Sequence, residues 1–139
     1  MVNEDLIKEL LEVRDKGSDD PSVSLKAMEF YRQIAEESEN ITEELKDVNI
    51  MMQVVVTDPD YKYWGKMANG KLEYGEGEVE NPNCTMAASW KTWSDLSSGE
   101  LDSTSAYMAG DLTIEGNLQD AISYGQILAM IMEEGREYE

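Results

Sequence analysis

The residues whose spacing comes closest to a chemical motif lie near the middle of the chain, at Gly65-Lys66-Met67-Ala68-Asn69-Gly70-Lys71. Two glycines separated by four residues and followed by a lysine have the spacing of a loop that binds nucleotide phosphates. The next residue is Leu72, whereas such a loop needs a Ser or Thr hydroxyl there to hold magnesium. Asn69-Gly70 is also the strongest short signal for a two-residue hairpin turn. The sequence therefore predicts a β-hairpin here and no phosphate site.

A second near-motif, Asp58-Pro59-Asp60, begins like a loop that binds calcium through carboxylate oxygens. Lys62 then occupies the third ligand position, and Gly65 is displaced from the position that the loop requires. Pro and Asp between two apolar runs are typical of a solvated turn. We therefore predict a turn and no metal site at these residues.

Histidine is absent from the chain, and Cys84 is its only cysteine. The commonest general base, the commonest zinc ligand and every Ser-His or Cys-His pair are therefore missing. A Lys-activated serine or a pair of carboxylates stays formally open, but 30 acidic residues among 139 guarantee chance pairs. The sequence predicts a protein that is not an enzyme and that uses no catalytic residue, metal or cofactor.

The formal net charge of −19 excludes several classes of partner. Binding to nucleic acid or to an anionic membrane surface depends on an excess of Lys and Arg. No apolar run reaches the roughly 18 residues of a membrane-spanning helix, and the first residues are acidic where a signal peptide is basic. A lone cysteine cannot form an internal disulfide. These features predict a cytoplasmic protein with no nucleic-acid partner and no integral membrane segment.

Methionine is abundant, at nine residues, and three tryptophans accompany it. Because an unbranched thioether adapts its shape, methionines fill ordinary cores and also form the walls of cavities that accept varied ligands. Composition alone leaves both interpretations open. The tryptophans, Trp64, Trp90 and Trp93, are interpreted as core or rim aromatics, and Cys84 as a small buried hydrophobic residue.

Three helices are predicted in the first third of the chain. Residues 3–16 form an amphipathic helix capped by Asn3, residues 21–38 a second helix capped by Asp20, and residues 39–46 a short third helix. The apolar stripe of the first helix consists of Leu6, Ile7, Leu10, Leu11 and Val13.

The periodicity then changes to the alternation of a strand. Strands are predicted over residues 47–57, 61–67, 71–78, 84–89 and 111–115. One face of the first strand carries Val48, Ile50, Met52, Val54 and Val56.

Three more helices complete the pattern. A helix capped by Ser89 runs to Ser98 and ends at Gly99, and another occupies residues 103–109. The last helix, residues 118–132, is apolar on almost every side, so we expect other elements to cover it.

Several short segments between residues 46 and 132 follow one another in a characteristic order. They are Val55-Val56-Thr57-Asp58, Tyr63-Trp64-Gly65, Gly75-Glu76-Gly77, Pro82-Asn83-Cys84-Thr85-Met86, Ser89-Trp90-Lys91-Thr92-Trp93-Ser94-Asp95-Leu96, Ser98-Gly99-Glu100-Leu101-Asp102, and Ala109-Gly110-Asp111-Leu112-Thr113-Ile114-Glu115-Gly116-Asn117. Taken together, these segments resemble the sterol carrier protein type 2 domain family.

This resemblance implies an α+β fold in which helices cover a five-stranded, mostly antiparallel sheet. It also implies an apolar tunnel between sheet and helices that binds sterols, fatty acids, acyl-CoA or phospholipids without a cofactor and without chemistry. The ending Arg136-Glu137-Tyr138-Glu139 lacks the peroxisomal Ser-Lys-Leu signal, and the acidic charge departs from the basic eukaryotic carriers. These departures favour a prokaryotic protein that binds a lipid or isoprenoid.

Twelve residues are predicted to line the tunnel. The strands contribute Ile50, Met52, Val54, Tyr63, Met67, Met86 and Ala88, and the helices contribute Phe30, Ile34, Leu128, Ile131 and Met132. One polar group among Gln53, Thr85 and Ser89 is assigned to a ligand headgroup. The strand assignments depend on register, because a shift of one residue turns a strand over.

The predicted function is a carrier for an apolar small molecule or lipid: a fatty acid, acyl-CoA, isoprenoid, phospholipid or sterol. Two alternatives stay open, namely an interaction or scaffold module with a closed core and a lipid-presenting accessory subunit of an enzyme complex. In the former, residues 3–16 contact a protein partner or form a homodimer. The predicted organisation is a helical extension (1–20), a lipid-binding domain (21–134) and a solvated tail (135–139).

Overall fold

The computed structural model describes residues 2–17, 20–98 and 100–138, in which helices and strands follow the predicted order. The helices are α1 (Glu4–Lys16), α2 (Val23–Glu37), α3 (Glu39–Lys46), α4 (Trp90–Ser98), α5 (Ser103–Ala109) and α6 (Leu118–Gly135), followed by a short 3-10 helix (Arg136–Tyr138). The strands are β1 (Asn49–Thr57), β2 (Asp60–Ala68), β3 (Lys71–Glu76), β4 (Cys84–Ala88) and β5 (Leu112–Gly116).

Capping side chains fix where the helices begin. The Asn3 side chain accepts a hydrogen bond from the backbone N–H of Leu6 at 3.1 Å, and Asn117 accepts one from Asp120 at 3.0 Å. Each bond satisfies an amide that has no partner inside its own helix. The predicted caps of α1 and α6 are therefore confirmed.

Two boundaries of the predicted helices need comment. The second helix begins at Val23 rather than at residue 21, because the Asp20 carboxylate accepts hydrogen bonds from the N–H and the hydroxyl of Ser22, at 3.0 and 2.7 Å. These hydrogen bonds stabilise a turn that precedes the helix. The predicted end of α4 at Gly99 lies outside the described residues.

The last helix continues three residues beyond its predicted end. Gly135 is buried, and a Cβ atom there would stand 3.1 Å from both Ile34 and Phe30. A glycine therefore lets the end of α6 approach α2 closely. The Tyr138 ring then packs edge-on against Phe30, with 6.0 Å between centroids. Residues Arg136–Tyr138 form a short 3-10 helix and are all exposed, so the solvated tail over 135–139 stays a prediction.

The five strands form one sheet in the order β3-β2-β1-β4-β5. Only the pairing of β1 with β4 is parallel, and the other pairs are antiparallel. The predicted mostly antiparallel, five-stranded sheet is confirmed. Asn69 and Gly70, with φ of 55° and 76°, make the tight turn from β2 to β3.

Helices cover one face of the sheet, and alternation along β1 identifies that face correctly. Ile50, Met52, Val54 and Val56 are at most 5% exposed. Side chains from α2, α3 and α6 form one core cluster with Ile50, Met52 and Val54. The buried strand residues therefore belong to a closed core under these helices.

The outer side of α6 is not covered. Ala121, Tyr124, Ile127 and Ile131 are buried, but Leu118, Ile122 and Met130 are 48%, 44% and 38% exposed. We expected other elements to cover this helix on all sides, but they cover only the side that faces the sheet. Among the described residues, none of the helices is both long enough and apolar enough to cross a bilayer.

A polar network ties α2 to the edge strand β3. The Glu29 carboxylate accepts hydrogen bonds from Arg32 at 2.7 Å, from Gln33 at 2.6 Å and from the Tyr74 hydroxyl at 2.8 Å. The hydrogen bond from Arg32 is the largest of the effects that lower the pKa of Glu29 to about 2. The ionised carboxylate therefore stabilises the packing of α2 on the sheet.

This network predicts a pH-dependent contribution to stability. Because the pKa of Glu29 is lower in the folded state, its contribution is present above pH 4.5, the ordinary value, and is lost as the pH falls towards 2. We expect Glu29→Gln to lower the free energy of unfolding by about 1–2 kcal/mol at pH 6, after allowance for solvent screening. The difference from the wild type should shrink as the pH approaches 2.

Urea denaturation at a series of pH values measures this difference. Glu43→Gln is the matched control, because Glu43 forms only an exposed ion pair with Lys46. A difference for Glu29→Gln that stays constant from pH 6 to pH 2.5 contradicts the assignment of ionised Glu29 to this contact.

Candidate functional site

A cavity of about 780 Å³ lies among the helices at one corner of the sheet. Its walls come from α1, α2, α4 and the end of α6, and β2 contributes one side chain. The apolar and aromatic lining residues are Ile7, Leu10, Leu11, Val13, Val23, Ala27, Phe30, Tyr31, Tyr63, Trp90, Trp93, Met132 and Tyr138. A volume of this size and character suits a ligand of several hundred daltons.

The first helix forms one wall of the cavity. Four of the five residues in its predicted apolar stripe line the cavity: Ile7, Leu10, Leu11 and Val13. The helix is held against α2 by an ion pair of Lys26 with Glu9 at 2.8 Å and by a hydrogen bond from the Asn3 N–H to the Gln33 side chain at 2.7 Å. None of its residues is fully buried, so the wall is held mainly by contacts at its edges.

The fourth helix is positioned over the end of the sheet by its tryptophans. The Trp93 indole N–H donates a hydrogen bond to the Val55 carbonyl at 3.1 Å, and the Trp90 backbone N–H donates one to the Asp58 carbonyl at 3.2 Å. Ser89 caps the helix by accepting a hydrogen bond from the Thr92 N–H at 3.2 Å. Both indole rings are thereby placed in the cavity wall.

Two tyrosines line the side of the cavity that adjoins the core. Tyr31 comes from α2 and Tyr63 from β2, and both also pack against the core cluster. Burial raises the pKa of each phenol to about 12. A hydrogen bond with Ser24 acts on the pKa of Tyr63 in the opposite direction but does not offset burial. Both groups are therefore neutral hydroxyls at physiological pH.

The opening of the cavity carries charge. Arg14 and Arg136, two of the three arginines in the chain, line the cavity, and their side chains are 55% and 70% exposed. Arg136 pairs with Glu133 at 2.9 Å, and Asp95 adds a carboxylate to the same rim. The apolar interior of the cavity is therefore bordered by charged side chains that are in contact with solvent.

The structure brings together three of the twelve predicted tunnel residues. Phe30, Tyr63 and Met132 line the cavity. The other nine pack in the core outside the cavity lining: Ile34, Ile50, Met52, Val54, Met67, Met86, Ala88, Leu128 and Ile131. Contact of any of the twelve with a ligand stays a prediction.

The three polar residues considered for a headgroup also lie outside the cavity lining. The Gln53 side chain is buried on the other face of the sheet, where it donates to the Gly77 carbonyl at 3.1 Å and accepts from the Val79 N–H at 2.8 Å. Ser89 caps α4, and Thr85 lies in β4 opposite Gln53. Gln53 and Ser89 thus form hydrogen bonds with backbone groups, and Thr85 is part of a strand.

Sequence reasoning missed most of the cavity wall. The contribution of α1 was signalled by its apolar stripe, which the scaffold alternative assigns to a protein partner or a second copy of the chain. Ala27, Trp90 and Trp93 carried no signal that distinguishes a cavity from a core. Cys84 is buried beside Met52, with 3.7 Å between the sulfur atoms, and burial raises its pKa to about 11. Its interpretation as a small buried hydrophobic residue is confirmed.

No group of three or more Cys, Asp or Glu residues in the described ranges 2–17, 20–98 and 100–138 is arranged to hold a metal ion. The protein groups that a ligand in the cavity would contact are therefore apolar side chains, neutral hydroxyls and the charged rim.

Solved structures of comparable size share this architecture. The sterol carrier protein domain 2 of Helicoverpa armigera is 20% identical, with a TM-score of 0.62, over 83% of this chain and 94% of that chain. A protein described as the UbiJ-SCP2 ubiquinone synthesis protein is 14% identical, with a TM-score of 0.62, over 80% of this chain and 96% of that one. At these identities the likeness shows a shared fold.

The fold also occurs as part of a larger enzyme. The stereoselective inverting sec-alkylsulfatase Pisa1 from Pseudomonas sp. is 17% identical over 63% of this chain, with a TM-score of 0.54. The match covers 14% of the alkylsulfatase. No curated protein sequence matches the chain.

A sequence model of one family matches residues 31–129, which run from α2 through the sheet into α6. This match spans more than half of the chain, leaves α1 outside it, and agrees with the resemblance found in the sequence. The sheet and the helices that cover it agree with this match. The chain therefore belongs to the SCP-2 sterol transfer family.

Proposed function

We propose that the chain is a non-catalytic carrier that binds an apolar, lipid-like molecule in the cavity between α1, α2, α4 and α6. The observation that carries this proposal is the cavity itself, about 780 Å³ in volume and lined mainly by aliphatic and aromatic side chains. Membership of the SCP-2 sterol transfer family supports the same class of ligand.

Burial of apolar surface supplies the binding energy in this proposal. Transfer of a methylene group out of water contributes about 0.8 kcal/mol, so a chain of about 16 carbons contributes roughly 12 kcal/mol. Loss of translational and rotational freedom opposes binding by at least about 4 kcal/mol. The remainder is at most about 8 kcal/mol, which corresponds to a dissociation constant in the micromolar range or weaker.

The chemistry of the lining supports a binding role over a catalytic one. The phenols of Tyr31 and Tyr63 have pKa values of about 12 and are poor general bases at neutral pH. The Cys84 thiol lies outside the lining, and its pKa of about 11 keeps it protonated. A ligand in the cavity would therefore meet groups that hold it and do not react with it.

Native mass spectrometry of the purified protein tests the proposal. We expect an adduct of a few hundred daltons that disappears on denaturation and is recovered by solvent extraction. If the protein instead keeps its ligand-free mass after incubation with hexadecanoic acid, an acyl-CoA and a polyprenol, the proposed carrier role is wrong.

The exposed face of α6 favours a second candidate, a lipid-presenting accessory subunit. Leu118, Ile122 and Met130 lie outside the cavity lining, so a protein partner could cover them while a ligand fills the cavity. The same native spectrum bears on this candidate, because a dimer or a larger assembly changes the mass by thousands of daltons.

A further inference from the structure

Three tyrosines adjoin the boundary between the cavity and the core. They come from three different elements: Tyr31 from α2, Tyr63 from β2 and Tyr124 from α6. Tyr31 and Tyr63 both line the cavity, and both pack against the core cluster that includes Tyr124. The Tyr124 oxygen lies directly against Gly65 of β2, the strand that carries Tyr63.

The Tyr31 hydroxyl has no protein partner within the described residues. Burial is the only cause that shifts its pKa, with no hydrogen bond contributing. In the same part of the chain, every fully occluded side-chain oxygen has a hydrogen-bond partner. The Tyr31 oxygen is therefore not sealed in the core, and its residue lines the cavity. It is available to a molecule inside the cavity.

The available hydroxyls are neutral donors in an apolar surrounding. Their pKa values of about 12 exclude phenolate at physiological pH, so they attract no cation. They also give little compensation for the loss of hydration that a buried carboxylate suffers. A neutral oxygen acceptor loses less hydration free energy on burial than a carboxylate does, and it accepts the same hydrogen bonds from the tyrosine hydroxyls.

We infer that the hydroxyls of Tyr31 and Tyr63 recognise an uncharged oxygen acceptor, such as a ketone or ester carbonyl, at the buried end of an apolar ligand. This inference rests on the proposed carrier function and narrows the class of ligand. The hydrocarbon part then runs along α1 and α2 towards the opening.

A ligand with a carboxylate would be expected to bind in the opposite orientation. Arg14 and Arg136 lie at the exposed rim, where an anion keeps part of its hydration. The rim also carries Asp95 and the Glu133 partner of Arg136, so it is not strongly cationic. A ligand with a neutral oxygen is therefore expected to depend on the inner hydroxyls of Tyr31 and Tyr63. A ligand with a carboxylate is expected to depend on Arg14 and Arg136 at the rim.

Titration of tryptophan fluorescence tests this inference, because Trp90 and Trp93 line the cavity. The probes are dodecan-2-one, dodecane and dodecanoate. The variants are the wild type and the double variant Tyr31→Phe/Tyr63→Phe, which removes two oxygens and keeps both rings. We expect the wild type to bind the ketone about 3- to 10-fold more tightly than the alkane. The double variant should lose this preference and bind dodecane as the wild type does.

Equal affinity of the wild type and the double variant for dodecan-2-one overturns the inference. Tighter binding of dodecanoate than of the ketone, lost in Arg14→Gln/Arg136→Gln, also overturns it, in favour of an anion at the rim. If none of the three probes binds to the wild type, the carrier function itself has failed. A circular dichroism melt shows whether the double variant is folded, and the single variants Tyr31→Phe and Tyr63→Phe replace it if it is not.

Discussion

The variant Ala27→Trp is expected to lose at least tenfold of its affinity for a long-chain fatty acid or ketone while it stays folded. Ala27 lies on the face of α2 that lines the cavity, and an indole there occupies the space that the ligand needs. The new ring enters an existing void rather than a packed core, so the free energy of unfolding should change little. Native mass spectrometry and tryptophan fluorescence both measure the loss.

The control for this prediction is Ala129→Trp. Ala129 is exposed on α6 and lies outside the cavity lining, so the same substitution should leave affinity at its wild-type value. A folded Ala27→Trp variant with unchanged affinity means that ligands bind elsewhere. Met52 is a poor site for the same test, because its side chain is 0% exposed and contacts Cys84. A larger residue there would disturb the core.

The variant Gly116→Ala is expected to lower the free energy of unfolding by about 2–5 kcal/mol. Gly116 has φ of 92°, a conformation that costs an L-residue energy. An added Cβ would stand 2.5 Å from the Asn83 carbonyl oxygen and 3.0 Å from the Cys84 Cα. Both atoms belong to the backbone, so neither can move away by a change of rotamer.

This glycine joins the last strand to the last helix. The neighbouring Asn117 N–H donates to the same Asn83 carbonyl at 2.8 Å, which fixes the start of α6 beside β4. Gly125→Ala is the matched control, because no described atom beyond the backbone of its own helix and its two chain neighbours lies within 4 Å of its added Cβ. In the middle of α6 this change should stabilise the protein by about 0.5–1 kcal/mol. Chemical denaturation that gives similar values for both variants contradicts the close approach at Gly116.

Sequence reasoning recovered the elements and the faces of the strands, but not the position of the cavity. Alternation along β1 correctly predicts that Ile50, Met52 and Val54 are buried, because period-two patterning follows directly from strand geometry. Whether a buried side chain meets a ligand or another side chain depends on the spacing between helices and sheet. That spacing results from contacts such as Gly135 against Phe30, which no local pattern encodes.

The role of the first helix could not be derived from its own sequence. Its stripe shows that Ile7 and Leu10 face something apolar, but the same stripe suits a core, a partner or a cavity. In the structure, α1 contacts α2 through the Glu9–Lys26 ion pair and the hydrogen bond from Asn3 to Gln33, and Ile7 packs against the core cluster. Ion pairs and hydrogen bonds between distant residues leave no periodic signal.

The first helix lies outside the segment that matches the family, residues 31–129, and yet it forms a wall of the cavity. Part of the cavity wall therefore comes from outside the matched segment, whereas Tyr31, Tyr63, Trp90 and Trp93 come from inside it. Substitutions at Leu10, Leu11 and Val13 on the inner side of α1 are expected to reshape the cavity, because these residues line it and are only partly buried. In evolutionary terms, substitution within α1 is a route by which the ligand preference of the proposed carrier could change while the sheet is retained.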